Sequence, residues 1–88
     1  MTENKAITLI VAGTEITFYP DTATYNKYIN EMTLTNKVAP AHNFLMRTVE
    51  PDHRAALESI LGRPGAVLQI VGKVLEEYTP ELEILIKN

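Results

Sequence analysis

A histidine, a serine and a carboxylate together can cleave an acyl bond: the imidazole takes the hydroxyl proton and the carboxylate orients the imidazole. All three types occur here. His42 and His53 are the two histidines, Ser59 is the one serine, and Glu76, Glu77, Glu81 and Glu83 crowd near the C-terminus. The spacing does not assemble them. Ser59 follows His53 by six residues on what reads as one helix, so the two lie on different sides, and no glycine elbow surrounds the serine. A zinc centre fares no better. There is no cysteine and no His-x-x-x-His pair, so a metal would need distant carboxylates. Acid–base catalysis needs convergent, partly buried carboxylates. The four glutamates instead flank a helix end and a following strand, the pattern of a solvated charge run, with Lys73 and Glu77 four apart as a weak helical pair. Gly62-Arg63-Pro64-Gly65 sets an arginine at a helix start, but it follows a helix and lacks the Lys-Ser/Thr ending of a phosphate loop. The expectation is a non-enzyme with no metal and no cofactor.

Composition narrows the class further. Eighty-eight residues suit a single small domain over residues 1–88, with the polar stretch 1–4 read as a frayed tail. The net charge of -3 argues against a nucleic-acid binder, which needs a basic face. The N-terminus lacks the basic and apolar regions of a signal peptide. The most apolar run, residues 66–75, is broken by Gln69, Gly72 and Lys73 and falls far short of the ~20 residues of a membrane span. A chain without cysteine fits a reducing compartment. These features point to a cytoplasmic protein that engages neither membrane nor nucleic acid.

The elements that would position any site follow from periodicity. Residues 5–11 alternate as a strand, with Ile7, Leu9 and Val11 on one face. Ala12-Gly13-Thr14 is a turn, and residues 15–19 return with Ile16 and Phe18 on a shared face, giving a β-hairpin. Asp21 or Thr22 caps a helix to about Met32, whose stripe is Tyr25, Tyr28, Ile29 and Met32. A second helix starts at about Pro40 and runs to Thr48. Pro51 opens a third, carrying Ala56, Leu57, Ile60 and Leu61 and stopped by Gly62. A fourth, residues 64–78, carries the widest apolar arc, Leu68 included, and reads as the core helix, with Gly72 allowing a close crossing. Leu82, Ile84 and Ile86 then alternate with Glu83, Leu85 and Lys87 as a C-terminal strand that would extend the hairpin's sheet. The fold class is α+β: an N-terminal hairpin, four short helices and a closing strand.

The least ordinary stretch is Asn36-Lys37-Val38-Ala39-Pro40-Ala41-His42-Asn43-Phe44-Leu45-Met46-Arg47-Thr48-Val49. At helical spacing Ala41, Phe44, Leu45, Thr48 and Val49 share one side, and His42, Asn43, Met46 and Arg47 the other. An outer face of imidazole, amide, thioether and guanidinium, without Glu or Lys, suits contact with a partner, although Met46 and His42 would equally suit packing on a neighbouring helix. Asn36, Lys37, Val38, His42, Asn43, Met46 and Arg47 are accordingly the candidate partner-binding residues.

The same stretch, with Tyr25-Asn26-Lys27-Tyr28-Ile29-Asn30-Glu31-Met32, Pro64-Gly65-Ala66 and Glu76-Glu77-Tyr78-Thr79-Pro80-Glu81-Leu82-Glu83, resembles a family of small phage tail assembly chaperones. The similarity runs from the hairpin to the last strand. It implies a non-catalytic binder in the host bacterial cytoplasm that holds the phage tape-measure protein in solution and assists tail tube assembly. The tail tube protein and further copies of the chain are additional partners consistent with that role. The alternative is a small structural tail or neck subunit retained in the virion.

Overall fold

In the computed structural model, which describes residues 6–80 and 82–87, the chain begins as a hairpin. Strands β1 (Ile7–Val11) and β2 (Thr14–Phe18) pair antiparallel, with Ile7 opposite Phe18 and Leu9 opposite Ile16. Paired residues share a face, so the alternating apolar positions gather on one side of the ribbon. Ala12 (φ 50) and Gly13 (φ 83) make the two-residue turn, both left-handed, as the twist of a tight hairpin requires. The expected frayed tail, residues 1–4, lies outside the described residues.

Four helices follow: α1 (Thr22–Glu31), α2 (Val38–Thr48), α3 (Arg54–Leu61) and α4 (Ala66–Tyr78), with a single 3-10 turn, Pro51–His53, leading into α3. Asp21 caps α1: its side chain accepts from Thr24 N–H while the Thr24 hydroxyl accepts from Asp21 N–H, a reciprocal capping box. Helix α2 begins two residues before the expected Pro40. The first turn has no intrahelical use for its N–H groups, so proline is tolerated anywhere within it. Helix α4 begins at Ala66 rather than residue 64, because Gly65, at φ 79, turns the chain first.

One core joins the hairpin to the helices. Ile16, Phe18, Phe44, Leu45, Leu57 and Val74 are fully sealed within it. Phe44 of α2 meets Tyr28 of α1 with ring centroids 5.3 Å apart, and Tyr25 of α1 meets Tyr78 of α4 at 5.9 Å. The α2 face foreseen from spacing is buried as expected: Ala41, Phe44, Leu45, Thr48 and Val49. Buried Thr48 stays satisfied because its hydroxyl donates to Phe44 O at 3.0 Å.

Three expectations are corrected. Residues 82–87 form no strand and join no sheet, and the described sheet has two strands. Alternation fixes which face each residue would take; it does not bring the segment to an edge. Gly72 makes no close crossing, since a Cβ there would meet nothing within 4 Å. Leu68, placed on the core arc of α4, is exposed. Val67, Ile70, Val71 and Val74 suffice to fill that interface.

Candidate partner-binding surface

The histidines have structural surroundings that sequence spacing did not reveal. Thr17 N–H donates to His53 Nδ1 at 3.0 Å, so His53 serves as a backbone acceptor for β2. Its Nε2 lies 3.9 Å from Glu50 Oε2, and Tyr19 Oη donates to Glu50 Oε1 at 3.1 Å. That bond to Glu50 raises the Tyr19 phenol above its ordinary value. Burial raises the Tyr28 phenol, and the Thr24 backbone and hydroxyl lower the Asp21 carboxyl. Each shift belongs to a cap, a strand edge or the core. Among the described residues no three of His, Asp and Glu gather closely enough to hold a metal ion. No helix among them is long and apolar enough to cross a membrane.

The seven residues singled out from the sequence do not form one uniform surface. Asn36, Lys37 and Val38 are exposed in the loop before α2 and at its first residue, and Asn43 is exposed midway along it. His42 is half-buried. Met46 packs against the core cluster, which is the alternative its side of the helix had left open. Arg47 reaches across to α1, where Nη1 sits 3.5 Å from Glu31 Oε1, and Lys27 Nζ lies 3.6 Å from Glu31 Oε2. That pairing across two helices could not be read from spacing along either one.

Large apolar side chains stand in solvent at Val38 and at positions the sequence analysis did not name as a site. Leu34 is 93% exposed, Val38 52% and Ile29 42%, all within residues 29–38 of the α1–α2 connection. The loop is pinned by Thr33 N–H donating to Asn36 O at 3.1 Å, so Leu34 is held out at a turn. Ile10 of β1 and Leu82, Ile84, Leu85 and Ile86 beyond α4 are exposed as well. An isolated exposed leucine needs no explanation; contiguous exposed apolar surface is what contact sites commonly present.

A family model described as phage tail assembly chaperone matches residues 7–88. A protein of Haemophilus phage HP1 (strain HP1c1), described as an uncharacterized 11.3 kDa protein in the lys 3' region, is 36% identical over 83 residues, covering 94% of this chain and 81% of its own length. No solved structure matches.

Proposed function

The chain belongs to the phage tail assembly chaperone family, and on that premise we propose that it binds a tape-measure protein. It keeps that long helical chain in solution in the host cytoplasm while the tail tube assembles, and it catalyses no reaction. The observation that carries this reading is the exposed apolar group Ile29, Leu34 and Val38 at the α1–α2 connection. An amphipathic helix offers apolar side chains at helical spacing and is held by such a surface through burial rather than chemistry. Asn36, Lys37, His42 and Asn43 supply a polar rim around it, as contact surfaces commonly have. Arg47 would contribute only by leaving Glu31.

The test has two arms. A tagged chain expressed during phage assembly should co-purify with the tape-measure protein, and mass spectrometry of finished virions should not detect it. A chain that fails to co-purify, or that is present in virions at a fixed copy number, contradicts the reading; the latter result is that of a retained tail or neck subunit.

A further inference from the structure

The two edges of the hairpin are treated differently. The outer edge of β2 is closed: Thr17 N–H donates to His53 Nδ1, Glu50 N–H donates to Thr17 O at 2.8 Å, and Tyr19 N–H donates to Thr48 O at 2.7 Å. Residue Phe18 is bridged to Val49 in addition. The outer edge of β1 is open. Thr17 bonds outward, so its partner Thr8 also bonds outward, as does Ile10 two residues on. Among the described residues no backbone group meets Thr8 or Ile10 from that side. Beside this edge runs a groove between β1 and α4, floored by Leu9, Val11 and Ile70 and rimmed by Arg63 and Lys73, with no carboxylate in its lining.

The chain also carries a segment of matching character. Residues 82–87, Leu-Glu-Ile-Leu-Ile-Lys, belong to no helix or strand and are exposed, with Leu82, Ile84, Leu85 and Ile86 between 69% and 84% accessible. Placed along β1 with Leu82, Ile84 and Ile86 over the groove, the segment sets Leu85 on the outward face beside Ile10, itself 75% exposed. Both faces of the added strand then cover apolar surface.

The segment follows a helix end that is firmly stopped. Thr79 takes extended dihedrals (φ -85, ψ 125), and both its N–H and its hydroxyl donate to Leu75 O, at 2.9 and 2.7 Å. Pro80 reinforces that extended form, because a residue before proline is kept out of the helical region. Residues 82–87 are not paired with their own β1: they join no sheet and stay exposed. We infer that residues 82–87 pair with the open β1 edge of a second copy of this chain, seated in its β1–α4 groove, and that two copies exchange these segments about a two-fold axis. Closing the edge in this way also removes an unpaired strand that would otherwise invite unspecific pairing. Self-association is separate from partner capture: a chain that stays single could still bind the tape-measure protein through the α1–α2 connection.

The experiment is a solution mass measurement on the full chain at about 0.1 mM, since association depends on concentration. Wild type is expected at twice the single-chain mass and Ile84→Pro at the single-chain mass, with the helical circular dichroism signal retained because the substitution lies beyond the last helix. The chain has no cysteine, so an Ile10→Cys, Leu85→Cys double variant reports the pairing directly, and its disulfide is expected between chains. A wild type of single-chain mass, an association that Ile84→Pro leaves intact, or a disulfide closed within one chain would each overturn the inference. The last result would assign the segment to its own β1.

Discussion

Thr17 and His53, 36 residues apart, are joined by one hydrogen bond from the β2 backbone to an imidazole nitrogen, 3.0 Å long. It ties the hairpin to the turn before α3 and, with the Phe18–Val49 bridge, seals one edge of the sheet. Among the described residues the other edge of the sheet makes no such bonds, and Ile10, Leu34 and Val38 stay exposed.

Removing the acceptor should be costly because Thr17 is buried. His53→Ala leaves its N–H unpaired and should cost about 1–3 kcal/mol. His53→Asn, with an oxygen at the same position along the side chain, should recover much of that. Urea unfolding of the three proteins measures it; equal midpoints for the alanine and asparagine variants would contradict the assigned role.

The cap of α1 makes stability depend on acid pH. Thr24 N–H donates to Asp21 at 2.8 Å and its hydroxyl at 2.9 Å, holding the carboxyl below its usual 3.8. A carboxyl lowered by folding contributes fully above its unfolded value, and the contribution is lost as pH falls through the lower folded value. Asp21→Ala should cost roughly 1 kcal/mol at neutral pH. The gap to wild type should narrow below pH 3.8, as followed by urea midpoints across that range.

Met46 and Val38 should separate stability from capture. Met46 is partly buried against the core, so Met46→Glu sets a carboxylate on apolar surface and should destabilise by about 1–3 kcal/mol. Val38→Asp, at an exposed position, should stay within about 0.5 kcal/mol of wild type while weakening tape-measure binding. Thermal melts and a pull-down on the same proteins check both halves.

Two glycines should respond oppositely to alanine. Gly65 sits at φ 79, where an added Cβ would lie 3.3 Å from Gln69 Nε2, so Gly65→Ala should cost about 1–2 kcal/mol. Gly72 is in open space inside α4, so Gly72→Ala should gain about 0.5–1 kcal/mol. Chemical denaturation of the pair tests whether the turn before α4, and not a helix crossing, is the position that demands glycine.

Local rules account for what could be read from the sequence. The alternation of Ile7, Leu9 and Val11 against Ile16 and Phe18, with Gly13 between, specified the hairpin, and the spacing of Phe44, Leu45 and Thr48 specified the buried face of α2. Relationships between distant elements had no local signal. His53 as acceptor for Thr17, Arg47 reaching Glu31 and Met46 seated on the core each depend on how helices are placed, which periodicity does not encode. Residues 82–87 show the limit most plainly: strand-like alternation supplied faces, but it does not bring a segment to a sheet edge, and these residues stay exposed and join no sheet. The candidate surface was legible only at its exposed start, Asn36 to Val38. Leu34 lay outside it because one leucine in a loop forms no pattern.

The most direct measurement is the soluble fraction of the tape-measure protein expressed alone, with this chain, and with the Leu34→Asp, Val38→Asp double variant. The account predicts a largely insoluble tape measure alone, a soluble complex with wild type, and loss of that rescue with a variant that still folds. A tape measure equally soluble in all three cases, or rescued as well by the folded variant as by wild type, would contradict it.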